Sequence, residues 1–224
     1  VNYKEKILKK SPNLPFLSDF SFLKIQEKIH LPLFLENDAN AAAFGASRRF
    51  KFSNLIYITL GTGIGGGIII NNKILRGYQG YAGEIGHITI LPFGKRCTCG
   101  NRGCLEAYVG GWALQKEINK VWKHKTVKEL FDLAKQDKKA YKIVRHFSTF
   151  LGIGVASLIN IFNPQAVIFG GKISYDWSSF HKSMEEVIEK RVYFPLDVEF
   201  IKDSLPDKAG LLGMTHIALE NNYG

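Results

Sequence analysis

Cysteine is scarce in this chain: three residues in 224. Three thiols cannot staple a scaffold by disulfide pairs, and an odd number suits a reducing compartment. A cytoplasmic location is therefore expected. Signal-peptide features are also missing, since the start from Val1 to Lys10 is basic and lacks an apolar core segment. The chain opens on Val1 rather than Met, which reads as an incomplete chain or an unusual start codon. Phe52 to Asn72 and Phe147 to Gly171 carry no charge. The first is interrupted by a glycine cluster and the second by Asn160, Asn163, Pro164 and Gln165, so both read as buried core and no membrane partner is expected. Neither an internal repeat nor a low-complexity segment is found. Basic residues exceed acidic ones, 30 to 20, for a net charge of +10. Yet Lys9, Lys10, Lys138 and Lys139 are scattered, with no helix-turn-helix pair, nucleic-acid zinc finger or aromatic nucleic-acid module. Nucleic acid is not the expected ligand, and an anionic small molecule would also be drawn by this charge.

The remaining pattern interleaves strands and helices, which is an α/β class. Helices are expected over Phe20–Ile29 (capped by Ser18 or Asp19), Asp38–Phe50, Leu105–Trp122 with a break at Gly110-Gly111, Val127–Ala134 behind Thr126, a long stretch capped by Asp137 and reaching about Phe162, Trp177–Arg191 and Lys208–Leu219. Strands are expected at Leu31–Leu35, Leu55–Leu60, Gly67–Ile70, Lys73–Leu75, His87–Ile90, Ala166–Phe169 and Val198–Ile201, with Asn71-Asn72 as a tight turn. A division between lobes is expected near Arg49–Ser53.

His87, Cys97, Cys99 and Cys104 are the ligand types of tetrahedral zinc. All three cysteines fall within eight residues, and Gly100 and Gly103 let the chain turn tightly around an ion. Four protein ligands leave no open coordination position, so such a metal would organise the loop. The alternative is three buried free thiols. The other histidines read as ordinary core or surface residues.

Leu60 to Gly67 follows a strand, and its glycines expose backbone N–H groups suited to phosphate. A strand rather than a helix is expected next, which excludes the dinucleotide fingerprint, and no Lys follows, which excludes a Walker A loop. A phosphate-binding hairpin and a purely structural one both remain. Gly170-Gly171 also follows a strand, at the end where open α/β sheets bind ligands.

Glu36-Asn37-Asp38 lies between a strand and a helix start, where helix-terminal N–H groups favour negative charge. A charged Asp there can take a proton from a substrate hydroxyl, or these residues are simply the helix cap. Glu84 lies three residues before His87, and Glu106 two after Cys104. A metal-stiffened loop would aim both carboxylates at hydroxyls, or both are ordinary surface acids.

Together, Pro12-Asn13-Leu14-Pro15, Glu36 to Ala41, Leu60 to Gly67, Gly83-Glu84-Ile85-Gly86-His87, Cys97 to Glu106, Asn160 to Gly171 and Ala209 to Gly213 resemble the ROK family of sugar kinases and related repressors. The resemblance covers essentially the whole chain and implies a two-lobed actin-like, ribonuclease-H-like ATPase fold. Residues 1–52, joined by the C-terminal helix 207–224, would be the remnant of an incomplete N-terminal lobe. Residues 53–206 would be the large lobe with the zinc loop 87–104. The implied activity is transfer of the γ-phosphate of ATP, with Mg²⁺, to a hydroxyl of a hexose or N-acetylated amino sugar. Asp38 resembles the family's catalytic base, and Asn37, Glu84, His87 and Glu106 its sugar contacts. His87, Cys97, Cys99 and Cys104 resemble its zinc ligands. Gly61, Thr62 and Gly63 resemble its second phosphate loop, and Gly170 and Gly171 its adenosine-side turn. Lys172 and Ala46 depart from the family pattern away from the chemistry. The family's first phosphate loop has no counterpart before Pro12. That implies a fragment, a split gene with a separate chain supplying the N-terminal region, or a catalytically incomplete binding or assembly domain. A sugar-sensing regulator without its DNA-binding part, and a homo-oligomer, are also implied.

Overall fold

The computed structural model describes residues 3, 5–8 and 15–222. Lys9, Lys10 and the Pro12–Leu14 part of the resemblance lie outside the described residues. A five-stranded mixed sheet forms the centre. It contains β3 (Leu55–Leu60), β4 (Ile64–Ile70), β5 (Lys73–Ile74), β6 (Ala166–Gly170) and β7 (Glu199–Lys202), in spatial order β5-β4-β3-β6-β7. The hairpin β3–β4 is antiparallel, whereas β3–β6 and β6–β7 are parallel. Leu55, Ile56, Tyr57 and Ile58 are all buried, as a strand covered on both faces requires.

One face carries α3 (Glu106–Val109), α4 (Gly111–Asn119), α5 (Val127–Leu133), α6 (Lys138–Phe162) and α7 (His181–Glu189). Their termini follow the local chemistry. Thr126 and Glu129 form a reciprocal capping box on α5, and the Asp137 carboxylate accepts from Lys139 N and Ala140 N at the start of α6. Helix α6 is long and apolar enough to cross a membrane by length and composition. Here its apolar side packs into the core, with Leu151, Val155 and Ile159 fully buried.

The other face carries α2 (Asp38–Phe50) and α8 (Ala209–Asn222). Ala41, Ala43 and Ala46 of α2 share a core with Leu55, Tyr57, Ile69 and Ile168 of the sheet, so this core crosses the boundary expected at residue 52. The two helices touch backbone to backbone. A Cβ on Gly45 would lie 2.8 Å from Gly213 N, and one on Gly213 would overlap the Ala41 carbonyl.

Several expectations are corrected. The first helix, α1, begins at Leu23 and runs to Ile29, because Phe20–Ser21 (β2) pairs instead with Ile7–Leu8 (β1). Neither Ser18 nor Asp19 caps it; Phe22 holds the N-cap position without a side-chain bond. Leu31–Leu35 forms no strand, since no described strand lies beside it to complete a ladder. The His87–Ile90 strand is only a single bridge, Thr89 to Cys104, after a 3-10 turn at Ile85–His87. Strand β4 starts at Ile64 and includes the glycines placed before it. The helix expected from Trp177 begins properly at His181, after a 3-10 stretch Lys172–Ser179.

Between α2 and β7 lies a buried polar cluster. Tyr57 Oη donates to Asp203 Oδ2 at 2.7 Å, Leu205 N donates to Oδ1 at 2.8 Å, and Arg49 pairs with the same carboxylate. Burial first, and the Asp203 bond second, push the Tyr57 hydroxyl well above the usual phenol range. The folded protein therefore keeps a proton that the unfolded chain releases near pH 10. Its stabilising effect is fully present below about pH 10 and fades as pH rises toward the folded value. Tyr57→Phe should cost about 1–3 kcal/mol at neutral pH and flatten the loss of stability above about pH 10, read from urea melts.

The helix crossing gives a second expectation. Alanine favours a helix over glycine by about 1 kcal/mol, but at Gly213 the backbone clash should outweigh it and lower the melting temperature. At Gly210 the nearest atom to an added Cβ is Asp38 O at 3.6 Å, ordinary contact. Gly210→Ala should leave the melting temperature unchanged or raise it, so thermal unfolding of the pair separates crowding from propensity.

Candidate functional site

Helix α2 points its N-terminus at a small pocket lined by Asn37, Asp38, Asn40, Gly65, Gly66, Tyr81, Gly83 and Glu84, among others. The approach of α2 to β4 creates it. A Cβ on Gly67 would overlap the Ala39 carbonyl, and one on Gly65 would sit 3.4 Å from Ala39 Cβ. Asn37 caps the helix, its Oδ1 accepting from Ala39 N at 2.9 Å and Asn40 N at 3.2 Å. That commits the oxygen and leaves the amide Nδ2 as the group to offer a ligand. Asp38 Oδ1 accepts from Ala39 N at 2.9 Å, and the residue is exposed. Glu84 is exposed and lines the same pocket. Asn37, Asp38 and Glu84 thus share one pocket, although their sequence positions are far apart.

His87 and Glu106 are not among the residues that line this pocket. The Glu106 carboxylate is buried, with Oε2 accepting from Ile64 N at 2.9 Å. Its Oε1 accepts from Thr98 Oγ1 at 3.1 Å and Trp112 Nε1 at 3.2 Å. This acid therefore ties together the thiol loop, the start of β4 and α4.

His87, Cys97, Cys99 and Cys104 converge, with all four ligand atoms within 4.8 Å of one another. Cys99 Sγ and Cys104 Sγ are 3.7 Å apart, and His87 Nδ1 is 3.7 Å from Cys97 Sγ. A disulfide needs about 2.05 Å. A tetrahedral zinc with Zn–S near 2.3 Å and Zn–N near 2.0 Å spaces its ligands by about 3.6–3.8 Å. The set fits zinc in both chemistry and spacing. Without an ion the thiols differ: burial pushes Cys104 up to about 12, while the Asn101 backbone bond draws Cys99 down. Backbone bonds frame the loop, including Cys97 N to Asn101 O at 2.8 Å and Leu105 N to Ile88 O at 2.9 Å.

A second cavity, of about 380 Å³, opens beyond the hairpin turn. Gly61, Thr62, Gly111, Trp112, Gln115, Val127, Lys172 and Ile173 line it. The Gly61 and Thr62 carbonyls accept from Gly111 N at 2.9 Å and Trp112 N at 3.0 Å, which fastens the turn to the start of α4. Gly63 packs against the Glu106 carboxylate instead. Gly170 ends β6 against the Tyr57 ring, and Gly171, at φ 80°, turns the chain over Leu60 so that Lys172 and Ile173 reach the cavity. An indole, an aliphatic wall and one lysine suit a purine and its phosphates. Trp112, Gln115 and Asn40 were not singled out from sequence, and Lys172, expected to lie away from the chemistry, instead lines this cavity. The signal for Asn40 was a lone amide within an alanine-rich helix, one turn from Asn37.

Cys99→Ser should reduce bound zinc below one ion per chain by elemental analysis of purified protein, and lower the melting temperature. Wild-type protein that contains no zinc, even after refolding with it, would remove the metal from this loop.

Residues 1–221 match the ROK family. The Bacillus subtilis xylose repressor is 40% identical over 205 residues, covering 88% of this chain and 53% of the repressor. The Streptomyces coelicolor glucokinase is 34% identical, covering 98% of this chain and 77% of the kinase. The chain thus spans about half the length of the repressor it matches. Among solved structures, a Thermus thermophilus ROK hexokinase is 32% identical with a TM-score of 0.86, covering 99% of this chain and 77% of that one. A Streptomyces griseus ROK glucokinase, solved with glucose and AMPPNP, is 31% identical with a TM-score of 0.83, covering 97% and 78%. The fold is that of the actin-like ATPases, with an α/β mixed sheet, and the chain belongs to the ROK family.

Proposed function

We propose that this chain binds a hexose or N-acetylated amino sugar in the Asp38 pocket and serves its phosphorylation by ATP. The observation that carries this reading is the exposed Asp38 carboxylate sharing a pocket with Asn37 and Glu84. The glucose and AMPPNP bound to the Streptomyces griseus relative support the same ligand pair. Asp38 Oδ2, not engaged by Ala39 N, would take the proton of the attacking hydroxyl. Asn37 Nδ2 would donate to a neighbouring sugar oxygen, and Glu84 would accept from sugar hydroxyls. Trp112 and Ile173 would cover the base, while the Gly61-Thr62 turn and Lys172 would face the phosphates. Bound ATP supplies the transferred phosphoryl group, and Mg²⁺ bound with it neutralises charge. Zinc on His87 and the three thiolates would stiffen the loop that carries Thr98 and, through it, Glu106. We assign His87 Nε2 and Glu106 to the sugar side only through the family resemblance. A cytoplasmic location and a homo-oligomer belong to the same proposal, as does a separate N-terminal chain.

A second reading is a sugar-sensing regulator, favoured by the 40% identity to xylose repressors. It needs binding without turnover. A sugar panel with ATP distinguishes the two. Under the kinase reading, Asp38→Asn should lower kcat by about a hundred-fold or more while sugar affinity changes by less than about ten-fold. Wild-type binding without phosphorylation would favour the regulator, and no sugar binding at all would end both.

A further inference from the structure

Asn40 is 2% exposed and lines the Asp38 pocket. Its Nδ2 donates to Glu36 Oε1 at 3.0 Å. The same oxygen accepts from Asn37 N at 3.1 Å, and Arg76 binds Glu36 Oε2 through Nε and Nη2 at 2.7 Å each. The Glu36 side chain is 5% exposed. A carboxylate held by arginine can only accept, so it dictates which way the Asn40 amide faces. Turned over, the amide would set its oxygen against the Glu36 oxygen. Asn40 Oδ1 therefore points away from Glu36, buried and with no hydrogen-bond partner among the described residues. Across from it is the Gly83 backbone, where an added Cβ would lie 3.8 Å from Oδ1. A buried acceptor is rarely left unpaired, and Asn40 is among the residues that line the pocket.

We propose that Asn40 Oδ1 is a specificity-determining acceptor for a ligand hydroxyl or amide N–H, distinct from the hydroxyl that meets Asp38. Glu36 and Arg76 are the positioning residues that hold the amide in this sense. The proposal rests on the sugar-site reading and adds to it the selection of one donor on the sugar. A sugar lacking that donor leaves the oxygen buried and unpaired, so it should bind about ten-fold more weakly or worse.

The test is calorimetric titration of the full chain with the best-binding hexose and each of its monodeoxy analogues, using wild type, Asn40→Ala and Glu36→Gln. In wild type, one deoxygenation should cost about ten-fold or more through this contact. In Asn40→Ala the parent sugar should weaken by a similar factor and that one penalty should vanish, while the penalties at other positions persist. Glu36→Gln lets the amide turn, since glutamine can also donate, and should shrink the same single penalty. A pattern of penalties in Asn40→Ala identical to wild type overturns the proposal. If circular dichroism shows Asn40→Ala unfolded, Glu36→Gln decides, and an unchanged pattern there overturns it. Failure of the sugar-site reading looks different: wild type then binds none of the sugars, and this proposal falls with it.

Discussion

The site depends on how close α2 comes to β4. Gly65 and Gly67 carry no side chains, and the facing residues of α2 are alanines, so a helix backbone lies almost directly on a strand. A side chain at Gly67 would overlap the Ala39 carbonyl and lift α2, carrying Asp38 with it, whereas one at Gly65 would first meet the Thr59 hydroxyl. The cap at Asn37 and the carboxylate of Asp38 are set by this contact, because both sit in the first turn of the same helix. From the far side, α8 presses α2 down through the crossing at Gly45 and Gly213. The position of a polar group in the pocket is thus controlled by apolar packing a turn or more away.

Glu106 is the second constraint. Its buried carboxylate takes donors from Ile64, Thr98 and Trp112, which belong to three separate segments of the chain. Burying a carboxylate is costly unless it is hydrogen-bonded, and here three donors occupy three of its roughly four acceptor positions, one on Oε2 and two on Oε1. The acid joins the thiol loop to the indole wall of the larger cavity, so order in one is transmitted to the other.

Much of this could be read from the residues. The helix beginning at Asp38, the cap at Thr126, the end of α6 before Pro164 and the Asn71-Asn72 turn follow from local chemistry, and each is formed where local rules place it. The convergence of His87 with three cysteines followed from ligand type and crowding in sequence. Local rules failed where tertiary partners decide. Phe20–Ser21 looks helical until Ile7–Leu8 is beside it, and Leu31–Leu35 looks like a strand although no described strand pairs with it. The glycines of Leu60–Gly67 suggested phosphate, yet Gly67 serves helix packing, and of this stretch Gly61 and Thr62 line the larger cavity. Asn40 was missed because its significance lies in which way an amide faces, and that is set by Glu36 and by Arg76 from a distant loop.

The pairing of β3 with β6 has a kinetic side. Leu55 sits opposite Ala166, with the thiol loop and four helices lying between them along the chain. The β3–β4 hairpin, closed by three residues, can form early from local contacts. The parallel ladder must wait until that long intervening stretch has condensed, and topologies of this sort fold slowly. The hydrophobic edge of β3 is therefore exposed for longest during refolding, and that edge is where aggregation of a nascent chain would start.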